Sequence, residues 1–221
     1  MERWAPILSA GERERAARLH FEVDARRQAA GRGALRLLLG GYLGLPPEAV
    51  RFAAGPNGKP ELASPKAPGG SAGRPIEFNL SHSGEWALAA FATGTAVGVD
   101  LERHRELEMA LVAGRVFRGE ELEAWLGLPA PERRAAFFEL WTLKEAYLKG
   151  TGRGLSQDPR TFGLRRDPGG RFRLVRDESD PRAPRIWSFL PFPFAPGYSA
   201  AVACAGPARS IRTYTFEPRS F

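Results

Sequence analysis

The stretch Val97-Gly98-Val99-Asp100-Leu101-Glu102 constrains the fold of this chain more than any other: an apolar, β-branched run ends on two acids spaced by two. Such a run reads as a strand. Side chains alternate along a strand, so Asp100 and Glu102 point one way while Leu101 turns into the core. Neighbouring carboxylates repel each other unless a cation holds them. A hard divalent ion such as Mg2+ takes oxygen ligands of this kind and shares them with phosphates. A solvated strand end is the alternative that the hexapeptide alone leaves open.

A second stretch bears on that choice. Residues 131–149 read as a helix that opens on Pro131 and carries an apolar stripe of Phe137, Phe138, Leu140, Trp141, Tyr147 and Leu148. Glu145 and Lys149 are four apart and share one face. Taken alone they are an ordinary helical ion pair. If Glu145 joins Asp100 and Glu102, three carboxylates surround one ion, and Lys149 is one turn away to neutralise phosphate oxygens.

The rest of the chain alternates helices with strands. Residues 11–43 read as helical, with a break near Gly31, and Pro46-Pro47 closes the segment. Val50–Ala53 is a short strand, followed by the turn Asn57-Gly58-Lys59-Pro60 and a Pro/Gly/Ser-rich loop over 63–75. Ile76–Leu80 and Trp86–Ala92 are strands around a polar turn at Ser81-His82-Ser83-Gly84. Residues 109–128 read as one helix. Five strands follow Gly154: 161–166, 172–176, 185–190, 198–204 and 211–216, the first two joined by Asp167-Pro168-Gly169-Gly170. Helix-then-strands thus occurs twice, before and after about residue 95, which suggests two similar α+β halves.

Length and composition bound the rest. The 221 residues, 43% hydrophobic and 26% charged, suit a globular chain with a packed core. The single cysteine, Cys204, excludes an internal disulfide and a Cys-cluster metal site. No apolar run approaches membrane-spanning length, and Glu2 and Arg3 charge the N-terminus early. The expectation is therefore a cytoplasmic chain with neither signal peptide nor anchor. The net charge of +7, from 32 Lys+Arg against 25 Asp+Glu, favours anionic partners. Asn79, Ser81 and His82 are phosphate-capable donors clustered at one turn. No Walker loop, dinucleotide fingerprint or His-rich metal motif is present. A basic nucleic-acid-binding protein would explain the arginines but not the acidic residues, and it predicts salt-sensitive retention on DNA or RNA.

Four blocks in order carry a resemblance: Gly58-Lys59-Pro60, Phe78-Asn79-Leu80-Ser81-His82-Ser83-Gly84, Gly98-Val99-Asp100-Leu101-Glu102, and Phe138-Glu139-Leu140-Trp141-Thr142-Leu143-Lys144-Glu145-Ala146-Tyr147-Leu148-Lys149-Gly150, trailed by Gly152-Arg153-Gly154-Leu155. Together they resemble the 4'-phosphopantetheinyl transferases of the surfactin-synthetase-activating type. The resemblance implies an α+β pseudo-dimer of two similar halves, 1–95 and 96–221, with the active site in the cleft between them. It implies transfer of phosphopantetheine from coenzyme A to a serine hydroxyl of an acyl or peptidyl carrier protein, releasing adenosine 3',5'-bisphosphate. By the same resemblance, Asp100, Glu102 and Glu145 are Mg2+ ligands, Mn2+ being the other ion to weigh. Lys149 binds the pyrophosphate. Arg15, Lys59, Asn79, Ser81 and His82 contact coenzyme A, Arg15 at the 3'-phosphate. Glu145, Glu121 and a metal-bound water are the candidate bases for the carrier serine. A monomer without nucleic-acid or membrane partners follows, and a non-catalytic relative that binds coenzyme A or carrier is the variant reading. Glu12 and Gln28 depart from the lysine and hydroxyl residue found there in some members. Basic surface around residues 152–166 is expected to steer acidic carriers.

Overall fold

The computed structural model describes residues 2–55, 57–63, 74–154, 157–207 and 210–217. The protein is α+β, with helices and antiparallel strands interleaved along the chain. It divides into two units: Met1–Ala53 with Glu61–Ile76 and Arg209–Phe221, and Ala54–Pro60 with Glu77–Ala208. The Pro/Gly/Ser-rich loop falls, between 64 and 73, outside the described residues.

The first unit is built on helices α1 (Ala10–Ala17) and α2 (Glu22–Leu43). Ser9 and Glu12 form a reciprocal cap at the start of α1: the Ser9 hydroxyl accepts from the Glu12 N–H at 3.3 Å, and the Glu12 carboxylate accepts from the Ser9 N–H at 2.8 Å. Glu12 also accepts from the buried Arg36 Nε at 2.8 Å. Arg36 donates as well to the carbonyls of Pro47 and Val50, at 3.0 and 2.8 Å. One guanidinium thus joins α1, α2 and the turn after α2. The helical break lies at Arg18–Phe21, not near Gly31. Helix α2 runs on through its glycines, and two of them, Gly33 and Gly40, serve packing. A Cβ on Gly33 would overlap the Trp4 ring, and one on Gly40 would sit 2.7 Å from the Leu45 carbonyl oxygen.

Strands β1 (Phe52–Ala54) and β2 (Pro60–Leu62) form a hairpin. Strands β3 (Ile76–Ser83) and β4 (Trp86–Thr93) form another, turning at Gly84 with φ of 60°. The expected polar turn is therefore shorter: Ser81, His82 and Ser83 belong to β3. Strand β5 (Val97–Arg103) pairs antiparallel with β9 (Tyr198–Ala205), which pairs on its other edge with β8 (Trp187–Phe192). The register sets Asp100 opposite Ala201. The segment expected to be one helix is two, α3 (Met109–Val116) and α4 (Glu120–Leu126). They are split where Phe117 turns into the core and Gly119 takes φ of 57°. Helix α5 (Ala130–Thr151) follows, then the hairpin β6 (Phe162–Arg166) and β7 (Phe172–Asp177), and a four-residue turn of helix, α6 (Ala183–Ile186), before β8.

The expected strand 211–216 does not form. Its residues are exposed and no described strand pairs with them, so their β propensity has neither a cross-strand partner nor burial to support it. No helix among the described residues is long and apolar enough to cross a membrane.

Helix α5 packs on β5 and β9. Small residues on that face of the sheet, Ala201 and Ala203, admit the helix, and Phe137, Phe138, Leu143 and Tyr147 fill the core with Phe117, Phe162 and Phe189. Each buried aromatic or leucine contributes about 1.5–3 kcal/mol. The opposite face of β5 packs Val97 and Val99 against Leu88, Ala90 and Ala92 of β4. The closest approach of α5 to β5 is at two glycines. A Cβ on Gly98 would overlap the Ala146 carbonyl oxygen and the Gly150 nitrogen and sit 2.7 Å from Gly150 Cα.

Two predictions follow from this packing. Gly98→Ala should cost about 3 kcal/mol or more in urea unfolding, or leave the chain insoluble, because backbone atoms cannot yield to the methyl group. The second concerns acid. The bonds from Ser9 and Arg36 outweigh burial and hold Glu12 below its ordinary value of 4.5. A depressed carboxyl stabilises the fold above its unfolded pKa and loses that contribution as pH falls through the folded value. Glu12→Gln should therefore lower the melting temperature at pH 7, and the difference from wild type should shrink as pH falls below about 4. An unchanged difference across that window would exclude Glu12 as the source.

Candidate active site

Gly98, Asp100 and Glu102 share the face of β5 turned to α5, as period-two spacing requires. On α5, Trp141, Glu145 and Lys149 recur every four residues and form the half-buried face opposite. Lys149 Nζ lies 2.6 Å from Asp100 Oδ1 and 2.9 Å from Ser81 Oγ. The Ser81 hydroxyl donates to the same Asp100 oxygen at 2.8 Å. Glu102 accepts from the Trp141 indole N–H at 3.2 Å, from Arg105 at 3.0 Å and from the Ser83 hydroxyl at 3.4 Å.

The electrostatics are those of crowded acids. Burial pushes the Asp100 carboxyl above its ordinary range, against the pull of Lys149 and Ser81, and the Glu102 charge adds to the rise. Burial raises Glu145 too; Asp100 raises it further, Lys149 opposes, and Glu102 adds. Asp100 and Glu102 thus both disfavour the charged form of Glu145, and Glu102 that of Asp100. Among the described residues, no three carboxylate, imidazole or thiol groups close into a metal cage. The Lys149 ammonium lies against Asp100 instead. The donor set still suits a hard divalent cation: it is all oxygen, and Asp100 Oδ2 is buried with no hydrogen-bond partner among the described residues.

The other expected site residues are placed as follows. Asn79 and Ser81 are buried, and both accept from backbone N–H groups of β5. His82 is exposed on β3. Lys59 donates to the carbonyls of Gly150 and Val97, at 3.0 and 3.3 Å, and Asn57 donates to the Gly152 carbonyl at 3.0 Å. The Asn57-Gly58-Lys59-Pro60 turn thus caps the C-terminal end of α5, where carbonyls carry partial negative charge. Arg15 is exposed in the first unit and lines a concavity of about 370 Å³ with Glu12, Arg36, Arg51 and Phe52.

Glu121 stands apart from the carboxylate cluster. It is buried, accepts from Lys144 Nζ at 2.8 Å with both oxygens, and accepts from the Leu164 N–H at 2.6 Å. Lys144 is equally buried and also donates to the Phe162 carbonyl, so both groups are enclosed by protein partners. Nor is the basic surface of 152–166 unpaired: Arg153, Arg160, Arg165 and Arg166 each meet an acid, Asp177, Asp158, Glu120 and Glu139. Sequence reasoning missed Trp141 and Ser83 as partners of Glu102. Their signals were spacing: Trp141 is four before Glu145, and Ser83 is two after Ser81.

A family model for the 4'-phosphopantetheinyl transferase superfamily matches residues 96–203, and one for the N-terminal part of 4'-phosphopantetheinyl transferases matches 2–93. The chain is 32% identical over 209 residues to the 4'-phosphopantetheinyl transferase psf-1 of Bacillus pumilus, a match covering 94% of this chain and 83% of that protein. It belongs to the 4'-phosphopantetheinyl transferase family. The transferase is also 29% identical over 207 residues to Sfp of Bacillus subtilis, covering 93% of this chain and 86% of that one. With HetI of Nostoc it shares 42% identity over 154 residues, 69% of this chain and 63% of HetI's length.

In this transferase the Glu121–Lys144 pair is a structural brace. Glu121→Gln should lower stability by about 3–5 kcal/mol, because it strands a buried ammonium. The folded fraction should keep its turnover number at saturating substrate. A variant that melts like wild type yet loses turnover would return Glu121 to the chemistry.

Proposed function

We propose that this transferase moves the 4'-phosphopantetheine group of coenzyme A onto a serine hydroxyl of an apo acyl or peptidyl carrier protein. The serine Oγ–P bond forms, the P–O bond to adenosine 3',5'-bisphosphate breaks, and the serine proton passes to a carboxylate of the enzyme. Family membership supports the reaction class. The buried Asp100 Oδ2, without a hydrogen-bond partner among the described residues and close to Lys149, carries the assignment of the site with the neighbouring charges of Glu102 and Glu145.

In this proposal Asp100, Glu102 and Glu145 hold Mg2+ or Mn2+, which when bound neutralises pyrophosphate charge and polarises its P–O bonds. Lys149 gives up its bond to Asp100 Oδ1 and donates from Nζ to the departing bisphosphate, where negative charge grows. Glu145 has no hydrogen bond or ion pair among the described residues. It is the carboxylate left to take the serine proton. His82, exposed on β3, and Lys59 bind coenzyme A phosphates, and Arg15 binds the 3'-phosphate. The division into halves 1–95 and 96–221 belongs to the same proposal and is supported by family-model matches that part between 93 and 96. So does a monomeric, cytoplasmic enzyme.

The test is direct. With coenzyme A, Mg2+ and an apo carrier protein, the wild type should add one phosphopantetheine mass to the carrier, and Asp100→Asn should not. Lys149→Ala should slow the single-turnover rate about a hundredfold or more while calorimetric affinity for coenzyme A changes about threefold or less. Wild-type protein that leaves the carrier mass unchanged would overturn the reaction, and a fully active Asp100→Asn would overturn the metal assignment.

A further inference from the structure

Strand β5 is hydrogen-bonded to β9 along one edge. Its other edge runs beside β3 but is not paired with it as a backbone ladder, because β3 and β4 form a separate sheet. Three side chains at period two on β3 take the place of that ladder. Asn79 Oδ1 accepts from the Val99 N–H at 2.9 Å, Ser81 Oγ from the Leu101 N–H at 3.3 Å, and Ser83 Oγ from the Arg103 N–H at 2.9 Å. Successive amides of a strand point to opposite edges, so side chains at 79, 81 and 83 meet amides at 99, 101 and 103.

The two serines do more than satisfy amides. Each hydroxyl has one proton to give, and each gives it to the acid that precedes its amide. Ser81 donates to Asp100 Oδ1 at 2.8 Å, and Ser83 donates to Glu102 Oε2 at 3.4 Å. The same three-point clamp therefore occurs twice, two residues apart: hydroxyl to carboxylate, and the next backbone N–H to hydroxyl. Because Ser81 accepts from Leu101 and Lys149 and donates to Asp100, all its ordinary hydrogen-bonding capacity is committed. Its commitment to Oδ1 leaves Oδ2 as the oxygen of Asp100 without a partner among the described residues.

We infer that Ser81 and Ser83 are positioning residues that fix the carboxylates of Asp100 and Glu102 for a ligand: Ser81 by leaving Oδ2 of Asp100 as the presented oxygen, and Ser83 by orienting Glu102 together with Trp141 on Oε1 and Arg105 on Oε2. This rests on the proposed assignment of those acids as cation ligands. Groups that orient metal-binding carboxylates typically change affinity about ten- to a hundredfold when removed. The inference is distinct from a direct contact of Ser81 with coenzyme A, which would act on affinity for that substrate.

The experiment uses the full chain and three variants, Ser81→Ala, Ser83→Ala and Ser83→Thr. Residue-resolved amide hydrogen exchange should speed up at Leu101 in Ser81→Ala and at Arg103 in Ser83→Ala, with Val99 unchanged in both. Mn2+ affinity, read by electron paramagnetic resonance without coenzyme A, should fall about tenfold or more in each alanine variant. It should return to within about threefold of wild type in Ser83→Thr, which keeps the hydroxyl. The KM for coenzyme A should move less than kcat. Unchanged exchange at Leu101 and Arg103, or unchanged Mn2+ affinity beside a KM raised about tenfold, would overturn the inference. Ser83 is half-buried, so its variants report even where Ser81→Ala does not fold. If wild type binds no Mn2+, the cation assignment fails, and with it the positioning of the carboxylates for a ligand; amide exchange still decides whether the clamps exist.

Discussion

Everything at the site depends on how closely a helix can approach a strand. At Gly98 and Gly150 the backbones of β5 and α5 come within a distance that leaves no room for a Cβ. A helix normally stands off from a sheet by the depth of its side chains. Here that layer is missing at one crossing, and groups two residues along the strand are brought against groups on the helix. Asp100 thereby reaches Lys149, and Glu102 reaches Trp141. Lys59 reinforces the crossing by bonding to carbonyls of both elements, Val97 on the strand and Gly150 on the helix.

That approach creates an electrostatic problem which the surrounding residues answer in part. Three carboxylates are held in partly or fully buried positions, and burial raises the proton affinity of Asp100 and Glu145. One ammonium, one guanidinium, two hydroxyls and an indole N–H compensate without meeting every oxygen among the described residues. The buried Glu121–Lys144 pair, which joins α4 to α5, is the contrasting case. There both carboxylate oxygens, the ammonium and three backbone groups are mutually satisfied, which is the chemistry of a brace. The unmet oxygen of Asp100 is what separates a site from a brace.

Much of the fold was legible because its signals are local. The Val97–Glu102 strand, the long helix that became α5, and the hairpin at Asp167–Gly170 follow from periodicity and turn chemistry. What failed depended on partners distant in sequence. Gly31 and Gly33 look like helix breakers until Trp4 is seen packed on Gly33, and Phe117 ends α3 because its ring belongs to the core. The segment 211–216 has strand-forming residues, but no rule of local propensity reveals that no sheet edge receives them.

For the site, the sequence by itself determined which residues share a face: Asp100 with Glu102 by the pleat, and Glu145 with Lys149 by the helical turn. Those relations are fixed by covalent geometry and need no tertiary contact. Only the folded chain decided which faces meet and what each polar atom does there. Lys144 and Lys149 look interchangeable in sequence, yet one braces Glu121 and the other faces Asp100, because five residues rotate a side chain about 140° around the helix axis. Ser81 and Ser83 likewise read as turn residues. Their part in holding two acids and two amides of β5 arises from an edge of that strand left without a backbone partner, which no local pattern records.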